Sequence, residues 1–263
     1  MARDPLAPYD VALVRADNPS ALTLSGTNTW LVGRDPCWVV DPGPDLHEHV
    51  GAVLAEGVVR GGIGGVALTH RHADHAGAVE ALVAGAGDAV EVVIGAADGA
   101  RVGPLEAIAV PGHAPDHVCF ALGDAGGVCF TGDAVLGEGS VFIAPDPGAM
   151  ASYLRGLERL RARRFALLAP GHGPVVGDPE AKLEEYIAHR LDRERRLAAA
   201  LDAGARSIDE LLDAAWDDVP DALRLPATVT LYAHLDKLAE EGRVPARVEE
   251  RPEWFAQIGR HAH

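Results

Sequence analysis

The stretch "THRHADHAGAVEAL", Thr69–Leu82, places three histidines and an aspartate within six residues: His70, His72, Asp74 and His75. A hydrophobic core has no use for such a cluster, but imidazole and carboxylate are ligands that Zn2+, Mn2+ and Fe accept. The same chemistry recurs three times further on, each time just past an apolar run. His113 follows "LEAIAVPG", Asp133 follows "VCFTG" and His172 follows "FALLAPG", while His70 itself follows "GVALT". Short runs of this kind read as strands. The glycine of each "PGH" turn lets the backbone bend tightly while the next side chain points outward. A chain so written has to gather four strand ends along one edge of its sheets. The five His and two Asp gathered there are too many for one ion. A carboxylate shared between two ions allows a separation of about 3.5–4 Å, the spacing that holds a bridging hydroxide. Asp133 is the natural bridge.

The rest of residues 1–180 fits that plan. "VALVRA", "TWLVG" and "CWVVDPG" read as strands closed by turn residues, and "DLHEHVGAVLAEG" as a helix begun by Asp45 and stopped by Gly57. A helix from about Asp74, strands "VEVVIG" and "HVCFAL", and the helix "GAMASYLRGLERLRA" follow. Hairpins mixed with strand–helix units predict two sheets covered by helices. Past Pro179 the strands stop. "PEAKLEEYIAHRLDRERRLAAAL" starts with Pro in its first turn, "SIDELLDAAW" opens on a Ser207/Glu210 capping box, and "TVTLYAHLDKLAEEG" ends at Gly242. With "RVPARVEE" as a β wing, the tail has the outline of a winged helix. The expected division is therefore a catalytic domain over 1–180 and a helical domain over 181–263.

A winged helix usually reads DNA, so the charges decide. Residues 181–263 hold 12 Lys+Arg against 17 Asp+Glu, residues 1–180 hold 11 against 22, and the whole chain of 263 residues carries −16. Phosphate binding relies on Lys and Arg, so this balance excludes sequence-specific DNA recognition and disfavours an anionic membrane surface. Packing, or self-association into a homodimer, is the expected use of the tail. No run approaches the roughly 18 apolar residues of a membrane span, and "MARDPLAPYDVAL" has no apolar signal core. A cytoplasmic protein is expected. Cys37, Cys119 and Cys129 form no C-x-x-C pair and lie in or beside apolar runs, which reads as buried free thiols.

"THRHADHAG" followed by "PGH", "TGD" and "PGHGP" resembles the metallo-β-lactamase superfamily over roughly residues 10–180. "NPSALTLSGTNTWLVG", "GDAVLGEGSVF", "YIAHRLDRE" and the tail extend the resemblance to the β-lactamase-like protein 2 family across nearly the whole chain. It implies an α/β fold, a four-layer αβ/βα sandwich with a small winged-helix-like domain. Carried onto this sequence, it assigns His70, His72 and His113 to one metal and Asp74, His75 and His172 to a second, with Asp133 bridging. Two Zn2+ are implied, with Mn2+ or Fe as alternatives.

The implied function is a dinuclear hydrolase that uses a metal-bridging hydroxide on an ester, thioester or short phosphodiester. Asp74 is expected to orient the hydroxide and carry a proton, and His117 either to contact substrate or a developing oxyanion or to make a structural hydrogen bond at the start of its strand. Relatives of the same kind include a single-stranded RNA endoribonuclease, and mononuclear iron dioxygenases share the "H-x-H-x-D-H" stretch. Flavin-linked di-iron relatives carry Glu where this chain has His72, and many zinc β-lactamases carry Cys at the place of Asp133. Both departures argue against those branches. The segment between His75 and His113 is shorter than is usual in the family, which predicts an open cleft. Asp41 of "VVDPG" is expected to accept from a ligand, Thr27 and Asn28 to approach the site, and Tyr186, His189, Arg190 and Arg193 to share a helical face. His47 and His49 are expected to be solvated.

Overall fold

A computed structural model describes residues 4–87 and 89–244. The first sheet has the order β1 (Val11–Arg15), β2 (Asn28–Val32), β3 (Cys37–Val40), β4 (Ile63–Leu68), β5 (Glu91–Ile94). The second runs from β6 (Arg101–Val102) through β7 (Leu105–Ala109), β8 (Val118–Leu122) and β9 (Val128–Gly132) to β10 (Leu167–Pro170). Hairpin neighbours pair antiparallel, whereas β3–β4, β4–β5 and β9–β10 are parallel. Parallel neighbours need a crossover, and helices supply it. α1 (His47–Val59) joins β3 to β4, and α2 (Ala73–Ala76) with α3 (Val79–Ala86) joins β4 to β5. α4 (Ala149–Arg163) joins β9 to β10.

Side chains alternate across each strand, and the three cores follow from that. Trp30, Val32, Val40 and Ala67 of the first sheet face Phe120, Val128, Phe130 and Ala169 of the second. The opposite faces take the helices. Leu31, Val39, Val66 and Leu68 meet Val53 of α1 and Leu82 of α3. Ile108, Cys119, Cys129 and Leu168 meet Met150, Tyr153 and Leu157 of α4. Four layers, αβ/βα, result as expected, and all three cysteines are buried and free.

α5 (Pro179–Asp202) starts on Pro179 with Asp178 capping the amide of Ala181. Its first half sends Leu183, Tyr186 and Ile187 into the outer core of the second sheet. Its second half sends Leu197 and Leu201 to α6 (Ile208–Ala215) and α7 (Arg224–Glu240), against Leu211, Trp216 and Tyr232. The Ser207/Glu210 capping box forms as expected. The β wing expected over "RVPARVEE" lies outside the described residues apart from its first two.

Three expectations need correction. α1 begins at His47 and runs through Gly57 to Val59. A Cβ on Gly57 would sit 2.6 Å from Ile63 Cγ1, so that glycine permits close packing on β4 and does not stop the helix. The helix expected from Asp74 breaks in two, because the Ala78 amide donates to Gly43 O and the Gly43 amide to His75 O. His49 is buried, with Nε2 2.9 Å from Thr29 Oγ1 and 3.0 Å from Pro42 O, because its face of α1 packs on the end of β2.

The dual packing of α5 makes a testable statement. The buried Leu136 amide donates to Tyr186 Oη at 3.0 Å. Tyr186→Phe strands that amide and should cost about 1–3 kcal/mol, while Tyr186→Ala also leaves a cavity and should cost about 3–5 kcal/mol. Urea unfolding of both variants checks the ranking. A chain ended before Pro179 should aggregate, because the apolar face of α4 loses its cover.

Candidate metal centre

The strand ends do converge. β4, β7, β9 and β10 all open toward one edge, and there the ligand atoms of His70, His72, His113 and Asp133 lie within 4.8 Å of one another. Asp74, His75 and His172 form an equally tight second group. His72 Nδ1 stands 3.0 Å from His70 Nε2 and 2.9 Å from His113 Nε2. His75 Nε2 stands 3.3 Å from His172 Nε2. Asp133 faces both groups: Oδ1 is 3.4 Å from His75 Nε2 and 3.4 Å from His172 Nε2, and Oδ2 is 3.5 Å from His113 Nε2.

The far sides of the rings are tied down. Asp41, held at φ 51° after β3, accepts from the Thr69 amide at 2.8 Å, from Thr69 Oγ1 at 2.7 Å and from His75 Nδ1 at 2.9 Å. Thr69 Oγ1 then accepts from His70 Nδ1 at 3.0 Å. His113 Nδ1 donates to Phe142 O at 3.1 Å. With Nδ1 committed there, the Nε2 atoms of His70, His75 and His113 point inward, the orientation that a metal-binding tautomer needs. Asn28 Nδ2 donates to Pro170 O and Gly173 O, both at 2.9 Å, and fixes the last "PGH" loop. Gly171 is needed for closeness: a Cβ there would meet His75 Cε1 at 2.6 Å and Asp133 Oδ1 at 2.8 Å.

Electrostatics separate the two groups. Burial pushes His70 and His72 below the ordinary histidine range and His113 down to about 4. Burial also opposes charge on His75 and His172, but the carboxylates outweigh it. Asp133 and Asp41 hold His75 well above its usual value, and Asp133 with Asp74 lifts His172 to about 9. Burial opposes the negative charge of Asp133 and Asp74 too, but the histidines beside them hold both carboxyls below the usual range. Lone pair therefore faces lone pair in one group, positive charge drawn by the carboxylates gathers in the other, and among the described residues buried Asp133 Oδ1 has no hydrogen-bond partner. Cations between these atoms would satisfy all three conditions. The residues fit divalent metal.

His117 makes the structural hydrogen bond, not the substrate contact. It is buried behind His70, and its Nε2 accepts from the Asp133 amide at 3.1 Å. That nitrogen is already used, and the ring is not among the residues lining the cavity. Asp74 does line it, with a side chain 31% exposed.

The cavity in front of the metal ligands has a volume of about 380 Å³. It is not the open cleft that the short His75–His113 segment predicts. Val141 and Phe142, between β9 and α4, wall one side, and Trp216, Leu223 and Pro226 of the tail wall another. Thr230 of α7 accepts from the Ile143 amide at 3.2 Å and binds the two walls together. Sequence reasoning missed these walls, since Trp216 in an apolar helix pattern reads as core. It also missed Thr69, whose place beside His70 was the available signal.

Sequence comparison agrees with this geometry. Residues 22–93 and 85–172 match the Metallo-beta-lactamase superfamily, and 207–254 match the Beta-lactamase associated winged helix domain. A Beta-lactamase-like protein 2 homolog of Drosophila melanogaster is 29% identical over 262 residues, covering 86% of this chain and 87% of that protein. An Atrochrysone carboxyl ACP thioesterase of Aspergillus chevalieri is 32% identical over 240 residues, covering 80% of this chain and 74% of that one. A Beta-lactamase domain protein from Burkholderia ambifaria shares the fold with a TM-score of 0.75 at 19% identity, covering 89% of this chain and 86% of that one. With the two matched segments together spanning more than half its length and the associated domain following in order, the chain belongs to the metallo-β-lactamase superfamily.

Proposed function

We propose that the chain is a dinuclear metal hydrolase of thioesters and esters. The observation that carries this reading is Asp133, whose two oxygens face the two histidine groups. We assign His70, His72 and His113 to one ion, Asp74, His75 and His172 to the other, and Asp133 between them. A donor set of imidazole and carboxylate suits Zn2+, with Mn2+ or Fe as the competing occupants. Bound there, the two ions supply Lewis acidity and a water acidic enough to lose its proton near neutral pH.

The chain's own residues supply orientation, proton handling and a dry wall. Asp41 and Thr69 lock the rings of His75 and His70. Asp74 is the more exposed carboxylate and faces the cavity, so it is placed to orient water and take up a proton. His117 acts as a positioning residue through the Asp133 amide. No thiol takes part, since all three are buried apart from the ligands.

The cavity wall favours an acyl group over a phosphodiester. Among the described residues Arg190 and Arg193 are the only Lys or Arg lining it, and both are engaged by the protein. Arg190 donates to Ser140 Oγ and Val141 O, and Arg193 to Asp218 and Ala215 O. The thioesterase name of the Aspergillus chevalieri relative supports the same substrate class.

Metal analysis of protein purified without added metal should approach two equivalents, with His172→Ala losing mainly one of them and most activity. One iron per chain with dioxygen consumption would replace the reading by an oxygenase. Asp41→Asn should weaken metal affinity by about 10–100-fold, measured by competition with a chelator, because His75 and His70 lose their fixed acceptor. On a panel of ester, thioester, β-lactam and RNA substrates, metal-dependent turnover should be highest on thioesters or esters and absent in Asp133→Asn. Efficient penicillin turnover without ester or thioester activity would sink the proposal, and preferential RNA cleavage would move the substrate class to phosphodiesters.

A further inference from the structure

His189 has no part in the metal ligation, yet it lines the same cavity as His72, Asp74, His113, Asp133 and His172. It lies on α5, half-buried, one turn before Arg193. Arg193 Nε donates to His189 Nε2 at 3.1 Å. A guanidinium has donors only, so Nε2 must present its lone pair and the imidazole proton must sit on Nδ1. The bond thus selects one tautomer.

Arg193 cannot turn away to release it. Its Nη1 donates to Ala215 O, its Nη2 to Asp218 Oδ1 at 2.6 Å and Oδ2 at 2.8 Å, and its guanidinium carbon lies 5.6 Å from the centre of the Trp216 ring. The groups acting on His189 are Arg190 and Arg193 of its own helix, Asp218 after α6 and His234 of α7. Burial first, then the two arginines, push its pKa down to about 4. At neutral pH His189 is therefore uncharged, with Nδ1–H as its remaining donor, on a residue that lines a mostly apolar wall.

A buried polar donor in an apolar pocket fixes the orientation of a ligand more than it adds affinity. We propose that His189 is a specificity-determining residue: its Nδ1–H donates to an oxygen carried on the acyl part of the substrate, away from the bond that is hydrolysed. This rests on the thioesterase and esterase reading above and narrows it. The preferred substrate is an apolar acyl group bearing one neutral acceptor oxygen, a keto or hydroxyl group, on the portion that lies along α5.

Binding tests this without turnover. The probes are non-hydrolysable ketone analogues of a medium-chain acyl thioester, with CH2 in place of sulfur, in which one extra keto oxygen is moved stepwise along the chain. Calorimetry with the metal-loaded full chain should find one position that binds on the order of tenfold tighter than the plain chain. His189→Gln keeps both an acceptor for Arg193 and a donor, and should retain the gain. His189→Glu keeps the acceptor for Arg193 and removes the donor, and should lose it. His189→Leu should lose it as well. Metal content should match the parent in all three and the unfolding midpoint in His189→Gln and His189→Glu, whereas His189→Leu strands the buried Arg193 Nε and should lower the midpoint. Binding of the plain chain should match the parent in the uncharged Gln and Leu variants. No preferred position, or a preference that survives His189→Glu, would overturn the role of His189. Absence of hydrolysis of the corresponding thioesters by the parent would instead count against the function itself.

Discussion

One buried carboxylate ties the two candidate metal-binding groups together. Asp41 takes the Thr69 amide, the Thr69 hydroxyl and the His75 ring, and through Thr69 it also sets His70. His70 and His75 belong to different ligand groups. A single side chain thus fixes one member of each group, from the end of a strand adjacent to neither β7 nor β9. Burying a carboxylate is costly unless its lone pairs are filled, and here three donors fill them. The cost is offset by an orientation that two imidazoles could not keep alone. The inward direction of Nε2 on His70 and on His75 depends on that orientation.

Much of this was legible in the sequence because ligands carry their own signal. "H-x-H-x-D-H" and two "PGH" turns name six of the ligands, "TGD" names Asp133, and the apolar runs before them mark the strands that deliver them. The layers were legible for the same reason, as period-2 runs such as "TWLVG" with Trp30 and Leu31 on opposite faces. What escaped was everything decided by tertiary contact. Gly57 reads as a helix stop, yet the closeness of Ile63 makes it a packing glycine. His49 reads as polar surface, yet α1 turns it toward Thr29. His117 stands four residues after a ligand and reads equally as a substrate contact or a structural bond, and only the Asp133 amide at its Nε2 decides for the second.

The tail teaches a similar lesson about charge and shape. Its acidic balance argues against nucleic acid, and its winged-helix match is real over 207–254. Its described residues face the active cavity with Trp216, Leu223 and Pro226, and they bond to the β9–α4 segment through Thr230. A motif known for one kind of ligand is here part of a pocket wall. Position in the fold, not motif, sets that use.

α5 turns these two regions into one mechanical piece. At 1.5 Å per residue, its 24 residues span about 36 Å, and both ends are anchored in different cores. A rod fixed at both ends transmits position but allows little rocking. The distance between the tail's aromatic wall and the metal ligands is then set by a ruler, not by a hinge. A substitution in the wall then changes what lines the pocket, while the span from that wall to the candidate ligands stays set by the length of α5.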